Sequence, residues 1–241
     1  MPDPGQPPDD NAKKAEKEFW KLRNDFRERF GNPDLPNPFD PLRKQVHFLG
    51  VWDTVKFVGW LNLKAQLEVA RWPFTANVAN VETARHAIAI DERRRPFTDY
   101  RIDADAVAAS QGRLQELWFA GVHGDIGGQN RDDDRLPGIA FSWMVKEALA
   151  EGLAVNAKRY RHLVGVNLDD DLPADRALGV ILPNNRWWWL AGGWHLRCIQ
   201  PDDELHPSVR YRIEATKNDP PPYRPKNLPE KLLTSATSFA W

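Results

Sequence analysis

An uninterrupted apolar run, Leu117-Trp118-Phe119-Ala120-Gly121-Val122, stops at His123 and opens into Gly124-Asp125-Ile126-Gly127-Gly128. Six such residues suit one buried strand rather than a helix. The glycines behind it permit φ > 0 and leave room for a substrate or a neighbouring backbone. A strand ending in this way holds an imidazole at the rim of a sheet. His123 is therefore the first candidate functional residue, set against the plainer reading of a surface histidine in a tight turn.

A second strand lies upstream. Residues 45–52, QVHFLGVW, are rich in β-branched and aromatic side chains and continuously apolar after His47. Runs of this kind occupy the middle of parallel sheets covered on both faces. The run ends in Asp53-Thr54-Val55. A carboxylate at the carboxyl end of a buried strand sits where open α/β sheets collect functional side chains. The competing explanation is an aspartate that caps the next element.

Around these strands the chain reads as follows. Residues 1–10, MPDPGQPPDD, are expected to be a disordered tail. Residues 11–44 are expected to form a helix to Phe30, with Phe19, Leu22, Phe26 and Phe30 on one stripe, and then a proline-rich linker. Residues 83–91, TARHAIAID, fit a short helix or a strand, and their pattern does not choose. A helix is predicted over 139–151, stopped by Gly152, and a last one from Leu205 to about Ala215 with Pro207 in its first turn. Residues 186–190, RWWWL, look like a strand, and 218–229 like an extended surface segment. Val46–Trp52 and residues 115–122 are expected to be neighbouring parallel strands, with 139–151 packed on one face.

Composition narrows the function classes. Thirty-three basic residues stand against 34 acidic ones among 241, so no basic excess points to nucleic acid. The single cysteine, Cys198, rules out an intrachain disulfide and a multi-cysteine zinc site. No stretch reaches the length of an integral membrane segment. The acidic run Asp132-Asp133-Asp134 lacks the interleaved ligands and glycine of a calcium loop. No cofactor or metal is called for, although a metal-dependent hydrolase using His123, Asp125 and nearby acids stays open as a weaker reading.

Asp53 and His123 stand in the order of the acid and histidine of an α/β-hydrolase triad. The nucleophile is another matter. There is no G-x-S-x-G in the 241 residues, and no serine precedes Asp53. The serines are Ser110, Ser142, Ser208, Ser235 and Ser238, none on a glycine-flanked elbow.

Four blocks then carry a resemblance: GVWDTV (50–55), HAIAIDERRRPF (86–97), LWFAGVHGDIGG (117–128), and LHPSV (205–209) with YRPKNLP (223–229). In this order they resemble the α/β-hydrolase family, long known only as a domain of unknown function, that contains the catalytic domain of type VI secretion phospholipase effectors. The resemblance covers about residues 45–230 and implies a partial α/β-hydrolase-like fold: the C-terminal portion of a mostly parallel sheet with flanking helices and long irregular segments. Residues 231–241 would be a tail. It implies Asp53 as the triad acid and His123 as the base of a lipase or phospholipase. Gln129 stands where the family has a third glycine. It further implies a lipid or ester substrate once an upstream fragment, a separate N-terminal half, completes the site, and a protein made in the cytoplasm and exported by a type VI secretion system. The alternative is a non-catalytic remnant or interaction module of the same fold. His206, from the fourth block, competes with His123 for the imidazole's role, against a plainer place at the start of a helix.

Overall fold

The computed structural model describes residues 10–31, 46–55, 78, 80–128, 132–184 and 193–234. The expected tail before Asp10, the linker after Gly31, Gln129, the RWWWL strand and the last seven residues lie outside them. Four strands, β1 (Val46–Trp52), β2 (Val81–Ala89), β3 (Leu114–Phe119) and β4 (Glu204–Leu205), form one parallel sheet in the order β1-β2-β3-β4. Helices α1 (Asp10–Phe30), α2 (Ala104–Ala109), α3 (His123–Gly127), α4 (Arg135–Ala150), α5 (Ala157–Val164), α6 (Pro207–Ala215) and α7 (Glu230–Thr234) accompany it, and the fold class is α/β.

Three expectations need correction. Val46–Trp52, expected in the middle of the sheet, stands at one end of it among the described residues and is only half-buried, because β2 alone pairs with it there. Val46–Trp52 and the strand before His123 are parallel members of one sheet but not neighbours. The ambiguous TARHAIAID segment is strand β2 and lies between them. Its central position explains its sequence: both faces are covered, so its apolar residues do not alternate. The strand before His123 also ends early, at Phe119. Gly121 has φ 126°, and His123 opens the short helix α3 where an open glycine turn was expected.

One face of the sheet, Ala87, Ala89, Leu117 and Phe119, packs on Ile126 of α3, Leu136, Ile139 and Ala140 of α4, and Tyr160 and Val164 of α5. The other face, Ile88, Ile90, Trp118 and Ala120, packs on Ile199, Val209 of α6 and Leu232 of α7. Trp118 and Ile88 are completely buried, and burying a side chain such as Ile88 contributes about 2–3 kcal/mol. Helix α4 begins four residues before the predicted start. Pro137 falls in its first turn, where a missing N–H removes no helical bond.

Candidate active site

Asp53 and His123 follow strands two places apart, roughly 10 Å by ordinary strand spacing. The gap closes over the end of β2. The Asp53 backbone N–H donates to Ala87 O at 2.7 Å, which carries the β1 ladder one residue beyond the strand. Its φ of 47° then turns the side chain across the sheet, in the left-handed region that aspartate tolerates better than most residues. Oδ1 accepts the Ala89 N–H at 2.8 Å, at the last residue of β2, and Oδ2 accepts His123 Nδ1–H at 2.7 Å. The carboxylate is fully buried, whereas the imidazole is about a quarter exposed. With Nδ1–H engaged, Nε2 carries the lone pair. The Phe97 ring stands 5.1 Å from the imidazole at 60°.

A third side chain belongs to this cluster. Arg197 is buried and grips both Asp53 oxygens, Nη1 on Oδ1 and Nη2 on Oδ2 at 3.0 Å. It also donates to the carbonyls of Ala89 (2.8 Å) and Phe97 (2.7 Å). Burial works to raise the Asp53 pKa. The hydrogen bonds from His123 and Arg197, the Arg197 charge and the Ala89 amide outweigh it, and the carboxyl titrates below its ordinary range. Sequence reading missed Arg197. The available signal was one permanently charged residue in the otherwise uncharged run AGGWHLRCIQ, since a buried arginine requires an acid.

Glu92 supports the histidine from its backbone side. Its Oε2 accepts the His123 N–H at 3.1 Å, while Arg94 makes a bidentate pair with the same carboxylate at 2.8 and 2.6 Å. Here too burial raises the pKa, but the bonds and charge of Arg94 and, to a lesser degree, the bond from the His123 amide bring it below the usual value. Although Asp91, Arg93, Arg94 and Arg95 around it are all charged, Glu92 does not lie on a solvated face: its side chain is fully buried.

The remaining candidates sort themselves by their bonds. Asp125 is buried, and its Oδ2 accepts the Val122 N–H at 2.9 Å and the Leu182 N–H at 3.1 Å, tying α3 to a distant loop. His206 caps α6: its Nδ1 accepts the Ser208 N–H at 3.3 Å, and its ring stacks on Phe119 at 4.6 Å. Burial, with Lys146 adding to it, lowers its pKa to about 3. Asp53 is bonded to His123 and not to His206, and the plainer reading of His206 holds. Among the described residues no three His, Cys, Asp or Glu side chains gather as a cation site.

Beyond Phe97 the 3-10 turn Arg95–Phe97 borders a pocket of about 290 Å³ lined by Arg95, Thr98, Trp194 and His195. Its walls are held by Arg94 bridging Trp194, and by the His195 N–H donating to Arg93 O at 2.7 Å. The described serines are engaged elsewhere. Ser110 donates to Val107 O (2.7 Å), Ser142 bonds Tyr160 Oη (2.7 Å) and Ser208 bonds His206 (2.8 Å).

Residues 6–147 match the family model of the type VI secretion system phospholipase effector, Tle1-like, catalytic domain. The match takes in Asp53, Glu92, Arg94 and His123. It begins earlier than the resemblance read from the sequence blocks, at the helix-and-linker region, and stops before Arg197 and the LHPSV and YRPKNLP blocks. Comparison with curated proteins and with solved structures gave no significant match. With more than half its length matched, and with an α/β sheet carrying Asp53 and His123 at strand ends, this chain belongs to the Tle1-like type VI secretion phospholipase effector catalytic domain family.

Proposed function

We propose that Asp53 and His123 are the acid and base of a serine-type hydrolase acting on the acyl esters of phospholipids, with the nucleophile supplied by a G-x-S-x-G segment that is not among these 241 residues. The observation that carries this reading is the 2.7 Å bond between a fully buried carboxylate and Nδ1 of a partly exposed imidazole. That bond selects the tautomer with a free Nε2 lone pair. Nε2 takes the serine proton as the hydroxyl attacks the ester carbonyl, and returns it to the departing alcohol. Water then repeats the cycle on the acyl-enzyme. Asp53 orients the ring throughout and stays ionised.

In this reading residues 45–230 form the C-terminal half of the catalytic domain, made in the cytoplasm and exported by the secretion system that the family serves. Among the described residues no helix is long and apolar enough to cross a membrane. A second reading, a non-catalytic interaction module of the same fold, draws on the three described serines being bonded away from His123.

One experiment separates them. The purified chain alone should not hydrolyse phospholipids or short-chain aryl esters above background. Co-expression with an upstream segment carrying G-x-S-x-G should give turnover that a serine-directed phosphonate blocks. No turnover with any such segment favours the interaction module. Turnover by the chain alone, insensitive to the phosphonate and lost on chelation, would overturn the serine mechanism and favour a metal.

A further inference from the structure

Asp53 Oδ2 has two donors, His123 Nδ1 at 2.7 Å and Arg197 Nη2 at 3.0 Å; Oδ1 has the Ala89 amide and Arg197 Nη1. Four bonds leave the carboxylate one orientation. The guanidinium is itself buried, and its other acceptors are the Ala89 and Phe97 carbonyls, with Asp99 Oδ1 at 3.8 Å from Nε. Stability alone is a poor reason for such a pair, because well-packed apolar residues often replace a buried ion pair at no cost.

The other groups facing His123 repeat the pattern. Glu92, on its backbone amide, carries Arg94. Asp125, in the same short helix, is turned onto the Val122 and Leu182 amides. Phe97, against the ring, is fixed through its carbonyl by Arg197 and is covered by Arg94 at 3.9 Å. Both carboxylates that touch His123 therefore carry an arginine of their own.

We propose that Arg197 is a positioning residue of the Asp53–His123 pair: it fixes which carboxylate oxygen meets the imidazole, holds the Phe97 turn against the ring, and cancels the charge that would otherwise favour the imidazolium. A neutral pair still selects the Nδ1–H tautomer. It stabilises the protonated ring less than a lone carboxylate does and leaves the Nε2 lone pair to act as the base.

The inference rests on the reading of Asp53 and His123 as acid and base, but its test needs no turnover. NMR titration of His123 in the full chain, assigned by the signal lost in His123→Gln, is compared across variants. Asp53→Asn leaves Arg197 unneutralised and should lower the His123 midpoint by about one pH unit or more. Asp53→Asn with Arg197→Met removes both charges, leaves no unpaired buried ion, and should bring the midpoint back up above that of Asp53→Asn alone. A double variant as low as Asp53→Asn alone would overturn the charge role. Arg197→Lys keeps the charge but loses the planar fork. It should hold the midpoint while broadening the Nδ1–H signal through faster exchange, and a signal as sharp as wild type would overturn the positioning role. Failure to detect hydrolysis in any reconstituted enzyme would count against the catalytic reading and leave these titrations as they stand.

Discussion

His86 Nε2 accepts the backbone N–H of Thr54 at 3.1 Å, so the residue that follows Asp53 hangs on a buried imidazole of the neighbouring strand. The other ring nitrogen donates to Glu116 Oε1 at 2.9 Å. Glu116 in turn accepts the Ile102 amide and Arg101 Nε, each at 2.9 Å, and Arg101 pairs with Asp203. The left-handed turn at Asp53 is thus anchored behind as well as in front, by a relay that crosses β1, β2 and β3.

Replacing His86 by leucine should therefore cost about 2–4 kcal/mol. The change removes the acceptor of the Thr54 amide and one donor to a buried carboxylate, and each unsatisfied group carries its own desolvation cost. Urea unfolding of the two proteins checks this. A loss below about 0.5 kcal/mol, the size of an ordinary surface substitution, would show that the relay does not hold the turn.

Gly121 offers a second test. Its φ is 126°, and an added Cβ would fall 2.6 Å from Asp125 Cβ. Gly112, at φ 83°, has nothing within 4 Å of the same added atom. Gly112→Ala should cost only the backbone strain, about 1–3 kcal/mol. Gly121→Ala adds a clash with the carboxylate that ties α3 to Leu182 and should lower Tm further. Equal shifts in Tm would mean that Asp125 moves aside freely.

The depressed pKa of His206, about 3 against 6.5 for the free side chain, gives a pH dependence with a definite sign. The folded state resists protonating this ring while the unfolded chain does not. Stability is full above pH 6.5 and falls as pH drops from 6.5 towards 3, because the unfolded state binds the extra proton. His206→Asn keeps an oxygen for the α6 cap and removes the titration. Its Tm should be flatter across that window than the wild type's, and parallel profiles would contradict the assignment. Asp53, Glu92 and Glu116, all titrating below their ordinary values, add acid sensitivity at lower pH in both proteins.

In an enzyme completed with the G-x-S-x-G segment, His123→Ala should abolish the burst of acyl-enzyme. Asp53→Asn should slow it by roughly 10⁴-fold by presenting the wrong tautomer. Stopped-flow measurement of the burst reads both. A His206→Asn enzyme should keep its burst, because its ring caps α6 and lies against Phe119.

By itself the sequence determined that Val46–Trp52 and the run before His123 are strands of one parallel sheet, the second of them buried, and that an acid and a histidine sit beyond their carboxyl ends. Those features are local: they follow from continuous apolar runs and from where the runs stop. The tertiary structure decided the rest. Strand order depends on which backbones pair across long stretches of chain, and the apolar residues of TARHAIAID do not say that β2 belongs in the middle. Arg197 lies 144 positions from Asp53, and His86 lies 32 from Thr54 inside the ambiguous segment, so neither partner is marked by spacing. A buried charge declares that it needs a counter-charge, but only the folded chain brings a particular one within reach. The same holds for Glu92, whose neighbours in sequence are all charged and whose burial comes from α3 and Arg94 closing over it.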